Sequence, residues 1–223
     1  YAPFEYKTPD GKLTGFDVDL GNAICAKLKA KCVWVENSFD GMIPALKAKK
    51  FDGILSSMTV TDERAKQILF SSKIYNTPTR MVAKKGSPLL PTPTSLKGKR
   101  VGVQQGTIQE TYAKTYWAPK GVSVVPYPTQ DLIYQDMMSG RLDVTLQDAI
   151  MVDGAFLKQP KGKNFSFAGG NVVDVKTLGV GAAIGLRKED ADLKANIDKA
   201  LAAIIADGTY KKLEKKYFSF SIY

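Results

Sequence analysis

Apolar and polar positions alternate along the chain in two rhythms, short extended runs and stretches with helical spacing. From Phe16 to Leu28, Leu20, Ile24 and Leu28 recur one turn apart, with Asp17 or Asp19 placed to cap the start. Cys32–Val35 reads as a strand. Residues 37–40 form a loop that caps a helix from Met42 to Lys49, and Phe51–Ser57 reads as a second strand. A helix begins at Asp62 with Thr61 as N-cap and ends near Leu69. Further strands are expected at Arg80–Lys84, Lys99–Gln105, Val122–Tyr127, Leu142–Leu146 and Val180–Leu186. Helices lie between them. One opens at Thr107 with Glu110 completing a capping box, one spans Asp131–Ser139 with Gly140 as its stop, and one runs from Gln147-Asp148 to about Leu157. Residues 86–95 read as a surface loop, and 158–178 as irregular chain with short extended pieces. The last long helix starts at 188–190, carries Leu193, Ile197, Leu201 and Ile204 on one face, and stops at Gly208. A short helix follows from Tyr210 to Tyr217. Strands alternating with helices predict an α/β architecture.

The stretch Ser56-Ser57-Met58-Thr59-Val60-Thr61-Asp62-Glu63-Arg64 is chemically unusual. A cation in the first turn sits at the positive end of the helix dipole, where it is disfavoured. Arg64 beside hydroxyls and helix amides fits an anion held between them, a carboxylate or a phosphate. A solvated surface arginine is the bland alternative. Lys50-Phe51-Asp52-Gly53-Ile54-Leu55-Ser56-Ser57 is echoed by Arg141-Leu142-Asp143-Val144-Thr145-Leu146-Gln147-Asp148, both basic-apolar-Asp strands that follow a helix. The echo suggests two α/β units, each with a strand ending in polar residues, the end where ligands bind in such sheets. Ser56, Ser57, Gln147 and Asp148 become candidates, although Gln147 and Asp148 can equally serve as caps of the next helix.

Composition narrows the classes. The 223 residues, 44% hydrophobic with 10% aromatics, suit one large or two modest domains. No run of about 18 apolar residues is long enough to span a membrane. The chain opens at Tyr1 with neither an initiator Met nor a signal peptide, and so reads as processed or trimmed. A net charge of +10 invites a nucleic-acid reading, but the lysines are scattered in pairs and no nucleic-acid motif accompanies them. With no histidine and two cysteines, a Cys/His zinc site is excluded. Cys25 and Cys32 read either as a disulfide of an exported protein or as a reduced pair of small buried residues.

At this point the motifs resemble the polar amino-acid class of bacterial extracellular solute-binding proteins. The resemblance is carried by Tyr1-Ala2-Pro3-Phe4, Gly15-Phe16-Asp17-Val18-Asp19-Leu20, Ser57 to Arg64, Gly102-Val103-Gln104-Gln105-Gly106-Thr107, Gly140-Arg141-Leu142-Asp143 and Asp207-Gly208-Thr209-Tyr210. Within that class the chain is most similar to the lysine/arginine/ornithine- and histidine-binding subgroup, through 156–160, 185–190 and 215–218. The resemblance implies a two-lobed periplasmic-binding-protein fold with ligand in the cleft. Lobe 1 would be residues 1–76 and 182–223, lobe 2 residues 79–175, with hinges at 76–78 and 176–181 and closure on ligand as the expected motion. It implies a disulfide between Cys25 and Cys32, no cofactor, a monomer in the periplasm, and delivery of a cationic amino acid to the permease of an ABC importer.

It also implies roles for individual residues. Arg64 is similar to the arginine that clamps the ligand α-carboxylate, helped by Thr59 and the amide of Thr107. Asp148 is similar to the acid that receives the α-ammonium, with Ser57 and Thr59 assisting. Tyr1 and Phe39 resemble the aromatic pair that sandwiches the ligand side chain, against a reading as plain core residues. Ser56 and Gln109 would be outer polar contacts. A zwitterion needs such a fixed cation and fixed anion a few ångströms apart. Members of the subgroup have a strand before the position of Tyr1 that brings an acid for the distal ligand charge, and this chain opens after it. Ile108 and Gln104 also depart from the pattern, Ile108 standing where Thr is frequent and Gln104 where an apolar residue stands. The alternative is a dehydratase of the cyclohexadienyl type on the same fold, for which no spare positioned acid besides Glu110 is apparent.

Overall fold

The structure is a computed structural model and describes residues 1–223. In chain order its elements are β1 (Tyr6–Lys7), β2 (Leu13–Thr14), α1 (Phe16–Lys27), α2 (Met42–Lys47), α3 (Asp62–Ala65), β3 (Leu69–Tyr75), β4 (Thr79–Lys84), α4 (Pro93–Leu96), β5 (Arg100–Gln104), α5 (Ile108–Tyr116), β6 (Ser123–Tyr127), α6 (Gln130–Met138), β7 (Val144–Asp148), α7 (Ala149–Val152), β8 (Phe165–Val172), α8 (Val175–Leu178), β9 (Ala182–Leu186), α9 (Ala191–Ala206) and α10 (Thr209–Tyr217). The chain divides into two compact units. Tyr1–Asn37, Met42–Asn76 and Val180–Tyr223 form the first, and Ser38–Gly41 and Thr77–Gly179 the second.

An aromatic cluster organises the first unit. Phe4 stacks on Tyr75 with centroids 4.9 Å apart, and Phe16 meets Tyr75, Tyr210 and Phe218 edge-on. Such pairs add to the area they bury. Gly15 lets this happen, because its φ is +130° and a Cβ there would lie 2.1 Å from the Phe4 carbonyl oxygen. β3 and β9 pair antiparallel, and Ile54 and Thr59 add single bridges to Gly185 and Ala182. The apolar stripe of α9 packs on β3, with Ile197, Leu201 and Ile204 buried. At the C-terminus the buried Glu214 carboxylate accepts the Ser221 hydroxyl and the Ile222 amide. The Ile222 carbonyl in turn accepts Asn76 N–H at 2.6 Å.

Several expectations for this unit need correction. Cys32–Val35 makes no ladder, and Phe51–Ser57 makes only the bridge at Ile54. β-favouring side chains make a strand only where a neighbouring backbone pairs with them. Here an apolar groove of about 500 Å³, lined by Leu28, Trp34, Leu55 and Leu193 among others, runs beside both stretches. The helix at Asp62 is a single turn and does not reach Leu69, which begins β3. Neither Asp17 nor Asp19 caps α1. Gly15 is the N-cap, and Asp17 is fully buried. Cys25 and Cys32 form a disulfide, with Cα atoms 5.9 Å apart.

The second unit is a five-stranded sheet in the order β6-β5-β7-β4-β8. β5 runs parallel to β6 and β7, and β4 runs antiparallel to β7 and β8. Successive side chains of a strand point to opposite faces. Met81 accordingly joins one core with Val103, Trp117 and Leu146, and Val82 joins another with Ile133, Tyr134 and Phe156. β8 corrects the expectation of irregular chain over 158–178. Its Gly169-Gly170 pair weakens the strand signal, and pairing with β4 supplies the order. The helix expected to reach Leu157 is α7 followed by a π-helical turn, Asp153–Leu157.

Candidate functional site

In the first unit the polar stretch 56–64 is held by acids that the sequence pattern did not mark. The Asp17 carboxylate receives the Tyr75 hydroxyl at 2.8 and 2.9 Å and the Ser57 amide at 3.2 Å. Ser57 Oγ lies 2.9 Å from the Tyr75 oxygen, and the Ser56 hydroxyl donates to Glu5. Ser57 has φ +48°, a left-handed conformation that costs a non-glycine residue roughly 1 kcal/mol. Burial, with Asp17 and Glu5 nearby, pushes the Tyr75 phenol well above 10, so it stays protonated. Asp17 stands in the first turn of α1, where an acid ordinarily caps, so its partners became visible only in the fold.

Arg64 is buried, not a solvated surface residue. Its amide donates to the Thr61 hydroxyl, and Nη1 donates to the Thr59 carbonyl at 2.8 Å. Burial pulls the guanidinium pKa down to about 10, and Tyr1 acts electrostatically in the opposite direction. A fall of that size means the fold pays on the order of 3 kcal/mol to hold this charge. A desolvated cation of this kind favours a bound anion. Tyr1 is half-buried, and its carbonyl accepts Phe4 N–H at 2.8 Å.

In the second unit Asp148 ends β7 and caps α7. Oδ1 accepts the Met151 amide at 3.0 Å, and Oδ2 accepts the Thr77 hydroxyl. Burial raises its pKa, while Thr77 and the amides of Met151 and Ile150 lower it. Capping and carrying a charge at the strand end are therefore compatible roles for one carboxylate. Gln147 is spent internally, donating to Thr145 and accepting from Tyr134. Gln109 donates to Thr79 at 3.1 Å, and Thr79 stands opposite Asp148 in the β4–β7 ladder.

Thr107 caps α5, accepting Glu110 N–H at 3.2 Å and donating to the Gln104 carbonyl at 2.7 Å. The Glu110 carboxylate reaches back to Gly106 N–H at 2.7 Å. Gly106 is required here, because its φ is +76° and a Cβ would lie 2.8 Å from Asp40 Cα. Asp40 belongs to a 3-10 turn, Phe39–Gly41, in which Phe39 is buried. Gln104 is buried and donates to Pro128 O, and Ile108 packs on the sheet core. No group of three His, Cys, Asp or Glu side chains is arranged to hold a metal.

Comparison with known proteins extends these observations. Residues 1–220 match the bacterial extracellular solute-binding proteins, family 3. The chain is 53% identical to the lysine/arginine/ornithine-binding periplasmic protein of Escherichia coli (strain K12), over all of this chain and 86% of that one. It is 50% identical to the histidine-binding periplasmic protein of the same strain, with the same coverage. The fold matches that of an ancestral arginine-binding protein bound to arginine, with a TM-score of 0.90 and 36% identity, covering 98% of this chain and 94% of that one. The family match over residues 1–220 and the identity of 50% or more along the whole chain show that the chain belongs to family 3 of the bacterial extracellular solute-binding proteins.

Proposed function

We propose that the protein is the periplasmic solute-binding component of an ABC amino-acid importer and binds a cationic amino acid. The observation that carries this reading is the 53% identity, over every residue of the chain, to a relative named for binding lysine, arginine and ornithine. The side chains supply a matching chemistry. Arg64, with Thr59 and the amide of Thr107, receives the α-carboxylate. Asp148, with Ser57, receives the α-ammonium. Tyr1 and Phe39 flank the side chain, and aromatic faces suit an aliphatic stem or a guanidinium. Ser56 and Gln109 lie further out. The protein works as a monomer, and its partner is the permease of the importer. Binding rather than catalysis is its task, in keeping with relatives that are binding proteins.

A thermal-shift panel of the twenty amino acids with ornithine and citrulline tests the reading. A ligand at a hundred times its Kd stabilises the native state by about 2.7 kcal/mol. For a chain of this size that raises Tm by roughly 5–10 °C. The rise is expected for arginine, lysine, ornithine or histidine and for no acidic or apolar amino acid. It is expected to vanish in Arg64→Ala while the circular dichroism spectrum is kept. Turnover of arogenate without a shift for any cationic amino acid would replace this reading with the dehydratase.

A further inference from the structure

We propose that Asp17 and Tyr75 are positioning residues that fix the direction of the Ser57 hydroxyl, so that Ser57 presents an oxygen acceptor to the ligand ammonium. The inference rests on the amino-acid-binding reading and deepens it. A phenol has one proton to give. Tyr75 O–H lies within 2.9 Å of both Asp17 oxygens, and an ionised carboxylate is an acceptor only. The phenolic proton therefore goes to Asp17. The remaining contact, Ser57 Oγ to the Tyr75 oxygen at 2.9 Å, then runs from serine to tyrosine. With its own proton committed, Ser57 Oγ has only lone pairs left to offer.

The backbone is held by the same carboxylate. Asp17 also accepts the Ser57 amide, and this bond opposes the cost of the residue's left-handed conformation. Both Asp17 and Tyr75 are completely buried, so water does not offer Tyr75 another acceptor. Ser56 is oriented in parallel by its donation to Glu5. Two neighbouring serines are thereby set as acceptors by two acids that themselves stand behind the candidate contacts. An acceptor of fixed direction favours a donor in front of it, a charged ammonium most of all, and gains nothing from a ligand that has no donor there.

The test compares arginine with 5-guanidinopentanoic acid, its analogue without the α-ammonium, by calorimetry. Tyr75→Phe keeps the ring on Phe4 and removes the hydroxyl alone. The preference for arginine over the analogue is expected to fall about tenfold, while affinity for the analogue is unchanged. In Asp17→Asn the amide can donate to Tyr75 and reverse the chain, and a larger loss of preference is expected. The double variant should lose no more than Asp17→Asn alone. Should both single variants keep the wild-type preference, the proposal is overturned. It is equally overturned if both ligands weaken by the same factor, because that marks general loosening, which the Tm measured in ligand-free buffer reports independently. Failure of the wild-type protein to bind arginine, lysine, ornithine or histidine would instead overturn the functional reading.

Discussion

Thr77 shows how much one hydroxyl can control. It donates to Asp148 Oδ2 while the Met151 amide occupies Oδ1, and the Ala149 amide donates to Pro78 O at 2.8 Å beside them. The carboxyl is held from two elements at once. Besides Thr77, the groups acting on it are the amides of Ile150 and Met151, and from α6 the Tyr134 phenol faces it, its own pKa raised by burial and by Asp131 and Asp148. Burial favours the neutral acid and the Thr77 hydroxyl favours the carboxylate. Removing the hydroxyl therefore raises the Asp148 pKa further, and the acid needs a higher pH to be charged. In Thr77→Val the low-pH limb of the affinity profile for arginine is expected to move to higher pH, whereas Thr77→Ser keeps it in place. Titration calorimetry between pH 4 and 8 checks this, and an unmoved limb in Thr77→Val would show that the bond is idle.

At the scale of elements, the start of α5 is tied by three side-chain hydrogen bonds. The Thr107 hydroxyl both accepts from Glu110 and donates to Gln104, and Glu110 ties back Gly106. Loss of such a cap costs about 1–2 kcal/mol. Thr107→Val is expected to lower Tm by roughly 2–8 °C, and Thr107→Ser to keep most of it, as thermal denaturation followed by circular dichroism will show. This capping box was legible because its signal is local, with Thr107 and Glu110 three residues apart. The helical stripe of α9 was legible for the same reason, since its period matches the face it buries, and the central strands β4, β5 and β7 were legible as short apolar runs, buried on both faces of the sheet. β8 was not, because its order comes from β4 and its glycines carry no pattern. The stretch 32–35 erred in the opposite direction, having strand composition without a pairing neighbour. Arg64 stood out by its place in a helix start, but the Asp17–Tyr75–Ser57 contacts join residues up to 58 positions apart, and no periodicity records them.

For the whole molecule, the disulfide deserves weight beyond its size because of where it lies. Cys25 is in α1, and Cys32 opens the extended stretch that has no ladder of its own. Closing so short a loop contributes about 2–3 kcal/mol in the chain-entropy account. Reduction is expected to lower Tm by roughly 5–10 °C. Hydrogen exchange should quicken over residues 28–37 and stay unchanged in the sheet of the second unit, and mass spectrometry resolves the two. Uniform acceleration across both units would show that the bridge steadies more than its own neighbourhood.

The seating of the last residues has a practical corollary. The Ile222 carbonyl takes the amide of Asn76, the residue that ends the first unit's second segment, and Glu214 secures Ile222 from behind. A substitution that unseats Ile222, such as Ile222→Ala, therefore frees the Asn76 amide, in the peptide that leads into Thr77.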